Sequence, residues 1–165
     1  MPEVVCNTSP LQYLHQLGLL HILPSLVRTI VVPPAVVTEL NEGRSRGIDL
    51  PRLESLDWIH VRTPGGLPAL PLIHDLGAGE TEVLMLALES PGSIVLIDER
   101  LARQTAMSLR IPFKGTLGML LEAKKAGHVA RVAPLLDQLQ SLRFRLASGT
   151  RKAVLELAGE SVSRP

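Results

Sequence analysis

Six oxygen-bearing side chains could do chemistry if folding brought them together: Asn7, Glu39, Glu80, Glu82, Asp98 and Glu99. Asn7 follows the apolar run Val4-Val5-Cys6, and Asp98 follows Ile94-Val95-Leu96-Ile97; both runs read as strands. Ligands of an open parallel sheet bind beyond the C-terminal ends of its strands, so these two positions carry the most weight. Glu39 belongs to the helix after a second β-branched run, and Glu80 and Glu82 to the start of the helix after a long loop. Carboxylates around one cavity repel each other, and a hard divalent cation such as Mg2+ or Mn2+ relieves this through oxygen ligation. Such a cation could activate water against a phosphodiester. Each residue also has a purely structural reading. Asn7 is a good helix cap, Glu80, Glu82, Asp98 and Glu99 suit the positive end of a helix, and Glu39 could simply be solvated.

The elements that must position these groups alternate. After the first strand, Asn7-Thr8-Ser9-Pro10 announces a helix, with Leu11, Leu14, Leu17 and Leu20 at helical spacing and Pro24 expected to end the region. Thr29-Ile30-Val31-Val32 reads as a second strand. Pro33-Pro34 then opens a helix through Leu40 that Gly43 is expected to stop, with a loop from Arg44 to Gly47. Trp58 to Val61 is a short third strand. Thr63 to Gly79, with four glycines and three prolines, reads as a loop near the site, and its His74 is the one histidine to watch. From Glu80 the chain forms a buried helix, broken by Ser90-Pro91-Gly92 before the strand that ends at Asp98. Helices are expected over 101–109, 117–126 and 134–142, a last strand at Ile111-Pro112-Phe113, and a helical tail beyond Ser148. Strands alternating with helices predict an α/β fold with a parallel sheet covered on both faces.

Composition bounds the rest. A chain of 165 residues with 45% apolar and 20% charged residues fits one globular domain and excludes disorder. No apolar stretch approaches the roughly 20 residues that a bilayer needs, and Met1-Pro2-Glu3 lacks the basic start of a signal peptide, so no membrane partner and a cytoplasmic location are expected. The single cysteine, Cys6, excludes an internal disulfide, and without zinc-ligand spacing any metal would be held by oxygen. The net charge of +1 hides an asymmetry: 5 basic and 9 acidic residues up to Glu82, against 12 basic and 7 acidic beyond it. An acidic site beside a basic phosphate-contacting surface is one reading, and solvated helices the other. Aromatics are 2%, so nucleic acid would be held by its backbone, with Arg100, Arg103 and Lys114 flanking the pocket and Lys124, Lys125 and Arg131 in a further cluster. Gly77-Ala78-Gly79 is better read as a turn positioning Glu80 than as a dinucleotide fingerprint. Lys114-Gly115-Thr116 has phosphate-loop letters in the wrong order, leaving Thr116 to orient water or phosphate.

Five segments in order carry a resemblance: Asn7-Thr8-Ser9-Pro10-Leu11, Pro33 to Leu40, Gly79-Glu80-Thr81-Glu82, Leu96 to Arg100, and Lys114 to Gly118. The chain resembles the PIN-domain superfamily of small metal-dependent ribonucleases, in its DUF3368 branch. The resemblance implies a three-layer α/β/α fold with a parallel sheet of four or five strands. It also implies a single PIN-like domain over 1–165, with its core in 1–147 and a helical tail in 148–165. The implied activity is cleavage of single-stranded RNA with Mg2+ or Mn2+, often as the toxin of a toxin–antitoxin pair, which brings an antitoxin protein and a homodimer as expected partners. Carried over residue by residue, Glu39, Glu80 and Asp98 would be metal-site carboxylates with Glu99 as a further ligand. Glu82 would be an extra, and Thr8, Ser9 and Thr116 would support them. The departure is Asn7, where the family has Asp: an amide oxygen can coordinate a cation but brings no charge and cannot act as a base. The alternative is therefore a catalytically impaired PIN-like protein that binds nucleic acid or a partner. A receiver-like signalling domain is disfavoured, because the paired upstream acids it needs are missing.

Overall fold

The computed structural model describes residues 2–66 and 75–160, so His74 and part of the Gly/Pro-rich segment lie outside the described residues. Two compact units divide the chain, Met1–Thr116 and Leu117–Pro165. The first holds β1 (Glu3–Cys6), α1 (Thr8–Gln16), the short α2 (Leu23–Leu26), β2 (Thr29–Val32), α3 (Pro34–Ser45), β3 (Ile59–Val61), α4 (Ala78–Glu89), β4 (Ile94–Leu96), α5 (Arg100–Ser108) and β5 (Phe113–Lys114).

The strands form one parallel sheet in the order β3-β2-β1-β4-β5. Its central strands bury nearly every residue: Val4, Val5, Cys6, Ile30, Val31, Val32, Val95 and Leu96 are all at or below 2% exposure. Alternation of polar and apolar residues is absent there because helices cover both faces, the three-layer α/β/α arrangement of the sequence reading. Strand order runs outward in one direction from β1 through β2 to β3, and in the other from β4 to β5. The boundary between β1 and β4 is thus the point where the winding reverses, and connections leaving these two strands diverge there to open a crevice at their C-terminal ends. Asn7 and Asp98 stand on its two sides.

Three local expectations are corrected. Pro24 does not end a helix but lies in the first turn of α2, where its missing N–H costs nothing. Gly43 does not stop α3, which runs on to Ser45. A Cβ there would meet the end of the Leu50 side chain, so the glycine lets that side chain approach the helix closely. The last strand starts at Phe113, after Pro112, which has no N–H to give and instead accepts from Val95 N–H at 2.9 Å.

The second unit contains most of α6 (Thr116–Lys125), α7 (Ala133–Ser141) and α8 (Ser148–Leu157). Glu160 ties them together, accepting from Lys124 Nζ at 2.9 Å and from the Val132 and Ala133 N–H groups at 2.7 and 3.0 Å at the start of α7. Burial works to raise its carboxyl pKa, but these donors outweigh it and hold the value at about 2. Lys124 is therefore engaged within the fold. Among the described residues no helix is long and apolar enough to cross a membrane.

Candidate functional site

The crevice begins where β1 and β4 part, and the Asn7 N–H bridges the gap to Leu96 O at 3.0 Å. Asn7 occupies the cap position of α1 with an extended backbone, yet its side chain makes no capping bond. Its capping reading therefore does not hold. The residue is 2% exposed, and Oδ1 has no hydrogen-bond partner among the described residues. Leaving a buried carbonyl unpaired costs about 1–3 kcal/mol, so the orientation needs another cause. Oδ1 points to the place where a Cβ on Gly79 would sit, 2.9 Å away.

Glu39 meets Asn7 there. Both Glu39 carboxylate oxygens lie 2.8 Å from the same point at Gly79. Oε1 accepts from Gly79 N–H at 3.0 Å, and Oε2 from the Thr8 hydroxyl. Ser9 is half-buried in the same turn of α1 as Thr8. Glu39 is thus part-buried and not free to swing: α1 and α4 each hold one of its oxygens.

The α3–α4 seam also explains Glu82. Its Oε2 accepts from Ala35 N–H at 2.8 Å, at the start of α3, while Glu39 of α3 accepts from the start of α4. Each helix caps the other, and the two rungs coincide with one-turn spacings, Ala35 to Glu39 and Gly79 to Glu82. Glu80 lies off this face; its carboxylate folds back over Gly77, the cap residue of α4. Glu99 caps α5, accepting from Ala102 N–H at 2.8 Å. Of the acids proposed from the sequence, Glu39 and Glu82 are both held in the seam, each on the facing helix's first turn, whereas Glu80 and Glu99 are turned onto their own helix starts.

Asp98 faces the crevice from the β4 side. Its two oxygens accept from the Thr116 N–H and hydroxyl, each at 2.7 Å. Gly115 makes room for it, since a Cβ there would lie 2.8 Å from Oδ1. Burial raises the Asp98 carboxyl pKa, opposed by the Thr116 bonds and by the charge of Arg103. Burial first, and the Asp98 charge second, likewise raise the Cys6 thiol and the Tyr13 phenol, which places the acid's field over β1 and α1. Arg100 is exposed beside it, Lys114 is half-buried in β5, and Arg103 lies with its guanidinium carbon 5.1 Å from the centroid of the Phe113 ring.

Among the described residues no three Asp, Glu, His or Cys side chains gather closely enough to hold an ion by themselves. The donor aimed into the gap is an amide oxygen, with Glu39 beside it and Asp98 across the β1–β4 boundary. This set is entirely oxygen, and the orphaned Asn7 Oδ1 is the kind of atom that a hard cation satisfies, so the residues fit a divalent ion. Sequence reasoning missed the mutual capping of α3 and α4 and the clearance at Gly79 and Gly115. The Gly79-to-Glu82 spacing of one helical turn was the available signal.

No curated protein matches this chain. A family model for DUF3368, described as a PIN domain, matches residues 3–160. PIN domains in general are nuclease-type proteins that use divalent metal ions and act on RNA. With nearly the whole length matched, the chain belongs to the DUF3368 family of PIN domains.

Proposed function

We propose that this protein is an endoribonuclease cleaving single-stranded RNA with Mg2+ or Mn2+. The observation that carries this reading is the meeting of the orphaned Asn7 Oδ1 with the Glu39 carboxylate at Gly79, across the β1–β4 boundary from Asp98. Asn7 Oδ1, Glu39 and Asp98 would hold the cation, with Glu82 as the further acid of the α3–α4 seam. A bound divalent ion supplies activation of water and charge neutralisation at the phosphodiester. Thr8 and the Gly79 N–H fix the Glu39 carboxylate, and Thr116 fixes that of Asp98, so neither has to be ordered when substrate arrives. The basic residues Arg100 and Lys114 stand on the RNA-backbone side. In the cell this activity fits the toxin of a toxin–antitoxin pair, working as a homodimer held by an antitoxin protein.

The test compares two neighbouring acids in cleavage of single-stranded RNA with Mg2+ or Mn2+. Glu82→Gln is expected to lower the rate by about 10–100-fold, the usual effect of disturbing a group that orients ligands. Glu80→Gln, on the outer turn, is expected to stay within about threefold of wild type. Cleavage that persists in chelator, or a loss confined to Glu80→Gln, would contradict the assignment.

Asn7 supports a second reading, an impaired nuclease that keeps an RNA- or partner-binding role, because a neutral amide attracts a cation less than a carboxylate does. Under it, Asn7→Asp binds Mn2+ at least tenfold more tightly in calorimetry and gains cleavage. Equal affinity in the two proteins would remove this alternative.

A further inference from the structure

At the β5 edge of the crevice, Arg103, one of the three basic residues expected to flank the pocket, is paired with Phe113, a contact the sequence did not reveal. The guanidinium lies over the ring at 5.1 Å, where the negative face of the aromatic attracts the cation. Arg103 is exposed and Phe113 half-buried. Both grow from the segments that hold Asp98. The Arg103 N–H donates to Glu99 O at 3.0 Å, and Phe113 pairs in the sheet with Val95, two residues ahead of the glycine that clears space for Asp98.

Among the described residues Arg103 makes no salt bridge. Asp98 feels its charge, yet both Asp98 oxygens are already bonded to Thr116. The contact with Phe113 holds the guanidinium carbon over the ring, and with no side-chain hydrogen bond or salt bridge among the described residues the Arg103 N–H fork is left available. That fork is what a phosphate engages bidentately. A lysine could offer charge here but no planar edge.

We propose that Arg103, held over the Phe113 ring, is the residue that receives an RNA phosphate beside Asp98. The inference rests on the ribonuclease reading and adds to it a docking residue with its support. Phe113 is a positioning residue in this scheme, since it acts only through Arg103.

The experiment measures binding of a single-stranded RNA oligonucleotide to the full chain in chelator, by fluorescence anisotropy over a series of salt concentrations. One phosphate contact to a single strand contributes about 0.7 to the slope of log K against log salt, which corresponds to about fivefold in affinity at about 0.1 M salt relative to 1 M. Arg103→Gln is therefore expected to bind about fivefold more weakly, with a slope shallower by about 0.7. Phe113→Leu keeps the charge and the apolar packing, so it is expected to weaken binding about two- to fivefold with the slope unchanged. Arg103→Lys should behave like Phe113→Leu. A merely structural role would move affinity and melting temperature together and leave the three slopes alike. Wild-type affinity and slope in Arg103→Gln would overturn the proposal while leaving the nuclease reading intact. A wild-type protein that binds no RNA in chelator would overturn the proposal, and cleavage with Mg2+ or Mn2+ then decides the nuclease reading separately.

Discussion

Asp98→Asn is expected to lose RNA cleavage by about three orders of magnitude while melting at the same or a higher temperature at neutral pH. The loss follows from removing a charge that serves the cation, an effect of several kcal/mol on the reaction barrier. The retained stability follows from the bonds that Asp98 makes. An asparagine in the same place can still accept from the Thr116 N–H, and its amide can donate to the Thr116 hydroxyl. Burial raises the Asp98 pKa in the folded protein. A carboxyl of this kind favours the folded state fully below its unfolded pKa of about 3.9, and that contribution is lost as pH rises through the folded value. Wild type and variant should therefore melt alike in acid and diverge in favour of the variant as pH rises. Thermal melts across that range, paired with a single-turnover cleavage assay, check both halves. A variant that cleaves at the wild-type rate would remove Asp98 from the site.

Gly79→Ala is expected to lower cleavage by about 100-fold and to destabilise the protein by about 1–3 kcal/mol, although alanine ordinarily favours a helix. At an unobstructed helical position the same change stabilises by about 0.4–1 kcal/mol. Gly79 is obstructed: the new Cβ would sit 2.8 Å from both Glu39 oxygens and 2.9 Å from Asn7 Oδ1. Glu39 would have to leave the Thr8 hydroxyl and the Gly79 N–H, and a part-buried carboxylate without donors is costly. Gly149, in the first turn of α8, has nothing within 4 Å of its Cβ position and serves as the control. Gly149→Ala should gain stability and keep activity. Chemical denaturation of both variants decides the matter, and a stabilised, active Gly79→Ala would show that the crevice is looser than described.

Much of the scaffold could be read from the chain because its central strands are short β-branched runs, such as Thr29-Ile30-Val31-Val32, bounded by polar or proline signals. Asn7 and Asp98 could be placed for the same reason, each ending such a run. The side-chain roles were less accessible. Glu80 and Glu82 have the same chemistry two residues apart. Only the facing helix, some 45 positions earlier in the chain, decides which of them turns toward the start of α3. Glu99 looked like a further ligand beside Asp98, yet helix geometry lets it cap Ala102 N–H from where it stands. Gly43 was misread because a stop signal and a close approach by Leu50 place the same letter in the sequence. Local patterns report local structure, and contacts between distant segments settled the rest.

The most direct measurement of the central claim is the anomalous density of a crystal soaked in Mn2+. A peak is expected in the crevice between β1 and β4, within about 2–2.6 Å of Asn7 Oδ1 and of a Glu39 or Asp98 oxygen. A saturated crystal with no peak there, in a protein that still cleaves RNA in Mn2+, would contradict the account.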